Sequence, residues 1–260
     1  MKSLSHDRLA EALVAEAELF GMAIEGADPE MRVPTCPEWT LRDLTCHVGL
    51  AYHKSAAIIA SRPTGYVPFD AVTVDDPPAF DGLGDWLVDG AEQLVEAVTD
   101  IGPETLTSTW TPDRRAGFWT RRLTHETVVH RADAAFATGA PFDVDGDLAA
   151  DGISEGLDLV AVFSRLEHPA MDRTALRGTG ETLSFRTTAP ELAWVARRTP
   201  SGVEVSREQT DADADADVVV AGRAADLLLA LTRRIAADDP LLTISGNAEL
   251  FRHWRENTKF

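Results

Sequence analysis

The sequence predicts an α+β fold, with a four-helix bundle over residues 1–143 and a smaller α/β domain over residues 144–260. In the first half, apolar side chains recur at steps of three and four, the period of a helix with one buried face. In the second half, short runs alternate in polarity or collect β-branched residues, as strands do, with helical stretches between them. The length of 260 residues exceeds what one core usually organises and fits two domains of ordinary size. Helices joined by short-to-medium connections read as a bundle, and strands mixed with helices as an α+β unit.

The first helix runs from Ser5 to Ile24, where Leu9, Leu13, Ala17, Phe20 and Ile24 form one apolar stripe. Pro34 and Pro37 then hold the chain extended. Thr40 suits an N-cap, Asp43 follows three residues later as in a capping box, and Trp39 and Leu44 take the positions of a hydrophobic staple. The second helix continues to Ala60, with Leu44, Val48, Ala51, Ser55 and Ile58 on one side. The loop SRPTGYVPFDAVTVDDPPAF, residues 61–80, is long for a compact domain, and such loops often serve as lids or binding loops. The third helix covers Leu83 to Thr99, with Leu83, Leu87, Gly90, Leu94 and Ala97 in phase. A polar loop with Trp110, Arg114 and Arg115 leads to the fourth helix, Phe118 to Thr138, which stops at Gly139 with Pro141 just beyond.

In the second half a helix from Asp147 to Leu166 precedes strands at 182–188, 192–199 and 203–208, the last two joined by the turn TPSG. Two further strands, 216–222 and 241–246, flank a helix at 223–236, and a helix at 247–257 closes the chain. The acidic run at 211–217 lacks the glycines of calcium-binding repeat loops and reads as a solvated turn.

Charge and composition exclude several classes. A net charge of −19 repels phosphate backbones and anionic membrane surfaces. No apolar run is long enough to cross a bilayer, and acids interrupt the first twenty or so residues, unlike a signal peptide. Cys36 and Cys46, the two cysteines, build neither a disulfide framework nor a multi-cysteine zinc site. A cytoplasmic protein is therefore expected, with both thiols reduced. Cys46 beside His47 is weak grounds for a reactive thiol. There is no P-loop, no GxGxxG after a strand and no GxSxG elbow.

The fourth helix carries LTHETVVHRAD, in which Glu126 and His130 lie four apart and share one side of the helix. Trp119, Leu123, Ala134 and Ala137 lie on the same stripe, so the pair should face the core, where a carboxylate and an imidazole need partners. His47 on the second helix stands one turn from both Leu44 and Ala51, again on the inward side. A histidine from one helix and a Glu–His pair from another can converge on one divalent metal inside a bundle. Three protein ligands leave a coordination position open, as catalytic zinc sites do, although two histidines and a carboxylate also suit non-haem iron. The pattern is not HExxH, since His125 and His130 are five apart and diverge by about 140°. His125 is expected to flank the site, and His53 to point elsewhere. His6, His168 and His253 lack a partner pattern.

At these residues the chain resembles a known family. VPTCPEWTLRDLTCHVG and RRLTHETVVHRADA are similar to the paired motifs of the mycothiol-dependent maleylpyruvate isomerase family, part of the wider DinB-like group of helical-bundle metalloproteins. The first matches Cys-Pro-x-Trp-[Thr/Ser]-x-x-Asp-[Leu/Val]-x-x-His, and the second a Glu-x-x-x-His pattern preceded by Arg121 and Arg122. The resemblance implies zinc ligands at His47, Glu126 and His130 and mycothiol, a low-molecular-weight thiol, as cosubstrate. GRAADLLLALTRRI and ISGNAELFRHW resemble the family's small sterol-carrier-like domain more loosely. Two departures stand out. Glu38 replaces a frequent glycine, and Thr232 and Arg233 replace a Trp-Gly that often precedes an arginine, here Arg234. Arg234 is thus a substrate-binding candidate by resemblance, against the reading of an exposed helix arginine.

The expected chemistry is attack by a thiolate on an electrophilic small molecule, giving either an S-conjugate or cis–trans isomerisation of the maleylpyruvate type. Maleylpyruvate carries a charge near minus two, which a strongly acidic protein repels unless arginines compensate; Arg114, Arg115 and Arg234 are the candidates. The alternative is a non-catalytic small-molecule or lipid-binding module, with Trp194 and Phe185 as pocket walls instead of core.

Overall fold

The computed structural model describes residues 3–166, 174–208 and 216–258. The chain divides into two compact units, Leu4–Phe142 and Asp143–Phe260.

The first unit is built on α1 (His6–Ile24), α2 (Leu41–Ala60), α3 (Leu83–Ile101) and α4 (Gly117–Thr138). α1 and α2 each pack on both α3 and α4, so they occupy opposite corners of a four-helix bundle. The stripes of α1 and α2 are buried at every position named above. On α3 the last buried residue is Val98 instead of Ala97, because a 3.6-residue turn drifts ahead of a strict step of three.

Local signals account for the helix ends. The Thr40 hydroxyl accepts from the Asp43 amide at 3.1 Å, and the Asp43 carboxylate accepts from the Thr40 amide at 2.9 Å, a closed capping box. Gly139 ends α4 at φ 78°, in the left-handed region. The chain before α2 forms a small antiparallel hairpin, β1 (Arg32–Val33) and β2 (Cys36–Thr40), which packs on α2 and α4. Gly49 lets α2 approach α3, since a Cβ there would lie 2.0 Å from the Trp86 ring. Between α1 and α4, Arg131 Nε donates to Glu16 Oε2 at 2.6 Å, both side chains are buried, and the guanidinium lies over the Phe142 ring at 4.5 Å.

The second unit opens with α5 (Gly146–Phe163), followed by β3 (Thr182–Thr188), β4 (Glu191–Thr199), β5 (Gly202–Glu208), β6 (Val218–Gly222), α6 (Ala224–Leu231), β7 (Thr243–Gly246) and α7 (Ala248–Asn257). The strands form one mixed sheet in the order β5-β4-β3-β6-β7, in which β3 and β6 run parallel and all other neighbours antiparallel. Phe185 and Trp194 face each other across β3 and β4. Trp194 Nε1 donates to Ser154 Oγ of α5 at 2.9 Å, and the Phe185 ring lies near Phe251 and Trp254 of α7, at 6.3 and 5.8 Å. Both are fully enclosed core residues, so the idea of them as walls of a ligand pocket is corrected.

α6 is shorter than its apolar pattern suggests. It stops at Leu231 because Thr232 caps it and Arg233 adopts φ 72°. Arg234 therefore follows the helix instead of projecting from it, and its Nη1 donates to the Thr232 carbonyl at 2.7 Å. α5 ends three residues before Leu166, where the Ser164 hydroxyl turns back to accept from the Val203 amide at 2.8 Å. His168 and residues 211–215 of the acidic run lie outside the described residues. At the end of that run, the Asp217 carboxylate accepts from the Thr182 amide at 2.7 Å. Among the described residues no helix is long and apolar enough to cross a membrane.

Candidate metal centre

α4 presents Glu126 and His130 one turn apart, and α2 brings His47 opposite them. His47 Nε2 lies 3.0 Å from Glu126 Oε1. One ligand-type atom from each of the three residues falls within 4.8 Å of the other two. The two imidazoles meet edge to face with centroids 5.3 Å apart, and Trp39 from β2 stands against both, at 4.7 Å from His47 and 6.0 Å from His130.

The trio does not point into the centre of the bundle, as helix phase alone suggests. The His47 side chain is 43% exposed, against 22% for Glu126 and 13% for His130. On α2 the buried position is Val48, one residue further and about 100° round the helix. On α4 the buried line runs through Leu123, Thr127, Val128 and Arg131, and Glu126 and His130 flank it. The site is thus a lateral one, with His47 open to solvent and His130 mostly covered.

A carboxylate that sequence reasoning missed completes the surroundings. Asp133 is fully enclosed, and its Oδ2 accepts from His130 Nδ1 at 2.8 Å. Its Oδ1 accepts from the Thr35 hydroxyl at 2.5 Å, and the Cys36 thiol approaches Oδ2 at 3.8 Å. This contact keeps the His130 proton on Nδ1 and directs the Nε2 lone pair outward, the arrangement in which metal-binding histidines are oriented by a carboxylate. The i, i+3 spacing of His130 and Asp133 was visible in the sequence, but the hairpin that supplies Thr35 and Cys36 was not.

Electrostatics set the state of Glu126. Burial pushes its carboxyl up, but the hydrogen bond with His47 and the positive potential of Arg122, His130 and His47 outweigh that, lowering it from 4.5 to about 2. Arg122 Nε lies 3.6 Å from Glu126 Oε2. The residue is a carboxylate at any physiological pH. Cys46 behaves oppositely: burial raises its thiol, which removes the grounds for a reactive cysteine beside His47.

The donor set fits a divalent cation. Two ligands about 2.1 Å from a tetrahedral centre are about 3.4 Å apart, so separations within 4.8 Å close by side-chain rotation. Two imidazoles and one carboxylate, with the buried carboxylate Asp133 behind one imidazole, are ligand types suited to zinc and other borderline cations.

Beside the trio lies a cavity of about 310 Å³. Its apolar lining is Ala51, Ile58, Val67, Phe69, Trp110, Trp119 and Leu123 with the exposed Tyr66, and His47, Arg122 and Glu126 are its polar lining. Phe69 and Trp110 come from the two interhelical loops. The Val67 amide donates to Ser108 Oγ at 2.8 Å, tying those loops together, and Trp119 Nε1 donates to the Ser108 carbonyl at 2.8 Å. Arg114 and Arg115 are not among the cavity's lining residues. Arg115 binds Asp113 at 2.7 Å, and Arg114 reaches the Thr107 carbonyl at 3.4 Å. Arg234 belongs to the second unit. His125 is buried outside the trio, His53 reaches Gln93 and the Trp86 carbonyl, and His253 reaches the Ala175 carbonyl.

Residues 10–135 match the family model described as the mycothiol maleylpyruvate isomerase N-terminal domain. This stretch contains β1, β2, α2, α3, most of α1 and α4, and all three residues of the trio. Residues 10–135 belong to that domain family. Over the longer chain, the crystal structure of the mycothiol-dependent maleylpyruvate isomerase superposes with a TM-score of 0.61 at 13% identity, covering 94% of this chain and 96% of that one. A histidine-to-alanine mutant of that isomerase gives 0.59 at 14% identity, again covering 94% and 96%. These likenesses concern the fold. A ubiquinone-synthesis protein, UbiJ-SCP2, matches 45% of this chain and 92% of its own at 20% identity, with a TM-score of only 0.32. Comparison with curated proteins finds no match. Within the isomerase-type N-terminal domain, then, the trio and its aromatic cavity are the constellation that calls for a chemical account.

Proposed function

We propose that the protein is a metal-dependent enzyme that uses a low-molecular-weight thiol, mycothiol, to attack an electrophilic small molecule. The observation that carries this reading is the cluster of His47, Glu126 and His130 beside an aromatic cavity within a domain of the mycothiol maleylpyruvate isomerase family.

In this reading the trio holds a divalent cation, with zinc as the metal its donors favour. A bound divalent cation lowers the pKa of a coordinated thiol, so that the thiolate predominates at neutral pH. The rest of the chemistry belongs to the protein's own side chains. Asp133 fixes the tautomer and ring orientation of His130. Glu126 stays ionised and serves as a donor, so it is not assigned the general base. Arg122 beside it offset its charge and faces negative charge as it develops on the substrate. The apolar walls exclude water from the sulfur and the carbon it attacks.

For substitution, the sulfur–carbon bond forms, the leaving group departs with its electron pair, and the thiol proton goes to solvent. For isomerisation, sulfur adds to a cis double bond, the π pair moves onto the conjugated carbonyl, the single bond rotates, and the reverse step expels the thiolate. The broader class, thiol transfer to an electrophile, is favoured over the named isomerase because the net charge of −19 opposes a dianionic substrate. Arg234 is assigned no step. The experiment is to incubate the purified protein with mycothiol and a panel of alkyl halides, aryl halides and activated alkenes. Thiol consumption, or cis–trans isomerisation of an activated alkene, above that of the chelator-stripped protein supports the reading, and neither with any electrophile overturns it.

A further inference from the structure

The cavity beside the trio has a composition that selects among electrophiles. Apart from His47, Arg122 and Glu126, its lining residues are aliphatic or aromatic. Phe69 and Trp119 stack within 25° of parallel at 6.1 Å, leaving flat ring surfaces along one side. Trp110, also a lining residue, is held edge-on to Phe118 at 5.4 Å. The charged groups that line the cavity are Arg122 and Glu126, and they lie 3.6 Å apart. His47 Nε2 lies 3.0 Å from Glu126 Oε1, so the polar lining groups gather at one end, and the far carboxylate of a dicarboxylate would lose its hydration against apolar walls. Lys54 has its ammonium over the Phe69 ring at 5.4 Å and is not a lining residue. A volume of about 310 Å³ lies at the small end of ligand pockets, roughly 300–1,000 Å³.

From this we infer that the substrate is an uncharged or singly charged flat apolar electrophile, such as an aryl or conjugated carbon skeleton, held between Phe69, Trp119 and Trp110 with its reactive carbon toward His47 and Glu126. Small dicarboxylates are the class this cavity rejects. The inference rests on the thiol-transfer reading and narrows its substrate. With an aryl halide the balance is simple: the thiol sulfur replaces the halide on the ring carbon, halide leaves with the bonding pair, and one proton is released.

The test reads binding, apart from turnover. Nitrobenzene, a flat uncharged probe inert to thiols, and maleate, a small dicarboxylate, are titrated calorimetrically into the purified protein. Parallel titrations use Phe69→Ala, Phe69→Leu and Trp110→Ala, each checked for an unchanged urea midpoint. Saturable nitrobenzene binding, tighter than that of maleate, is expected. Phe69→Ala and Trp110→Ala should each weaken it by about tenfold, from lost apolar contact, while Phe69→Leu stays close to the parent. The inference is overturned if maleate binds at least as tightly as nitrobenzene, if nitrobenzene shows no saturable heat, or if neither alanine variant changes its affinity. Thiol consumption and alkene isomerisation that are both blank with every electrophile sink the parent reading but leave the binding result legible. Consumption with maleate-like substrates alone sinks this inference and leaves the parent reading standing.

Discussion

Asp133 accepts the Nδ1 proton of His130 at 2.8 Å from a position with no solvent exposure. The only exit for its charge is through the groups around it, the Thr35 hydroxyl and the His130 imidazole among them. Asp133→Asn keeps the shape but replaces an acceptor-only carboxylate with an amide that can present a donor to Nδ1. Metal affinity should fall by about 10–100-fold, measured by competition with a chromogenic chelator. An unchanged affinity would show that His130 is oriented by something else.

The depressed carboxyl of Glu126 links the site to stability in acid. Its folded value of about 2 lies below its ordinary 4.5. It therefore contributes stability that is fully present above pH 4.5 and is lost as pH falls toward about 2. In chelator-stripped protein, Glu126→Gln should cost at most about 3 kcal/mol near neutrality, with the gap to the parent closing through that acid window. Urea denaturation at several pH values measures it, and a pH-independent gap contradicts the account.

Gly49 is where α2 and α3 come closest to sharing space. A methyl group there meets the rigid Trp86 ring at 2.0 Å, which no small side-chain adjustment relieves. Gly49→Ala should destabilise the protein by about 1–3 kcal/mol from overpacking, despite the better helix propensity of alanine. A raised thermal midpoint would mean that Trp86 swings aside freely.

The buried Glu16–Arg131 pair ties α1 to α4. Removing one partner strands a charge in the core, so Arg131→Ala should cost about 3–5 kcal/mol. The double variant Glu16→Leu with Arg131→Met should recover most of that loss, because matched apolar groups often replace a buried pair without penalty. Chemical denaturation of the three proteins decides it. A double variant as unstable as the single one contradicts this.

Much of this was legible in the sequence, for reasons that differ by residue. The step of three and four identifies the buried faces of α1 and α2, and the Thr40–Asp43 pairing announces the start of α2. The spacing of Glu126 and His130 places both on one side of α4, and the structure sets them beside His47. Periodicity resolves a helix face only to about a third of its circumference, however, so it put His47 inside when it stands half exposed at the edge. Loop geometry has no period at all. The Phe69 and Trp110 walls, the hairpin carrying Thr35 and the end of α6 at Leu231, just before the left-handed Arg233, all depend on tertiary contacts or on a backbone turn that no residue type in the sequence demands.

The central claim is that His47, Glu126 and His130 share one divalent ion. Elemental analysis of protein purified without chelator or added metal, alongside His47→Ala and His130→Ala, addresses it without any assumption about substrate. The account predicts about one metal ion per chain in the parent and strong depletion in both variants, with helical content retained. A metal-free parent, or full metal content in both variants, contradicts it.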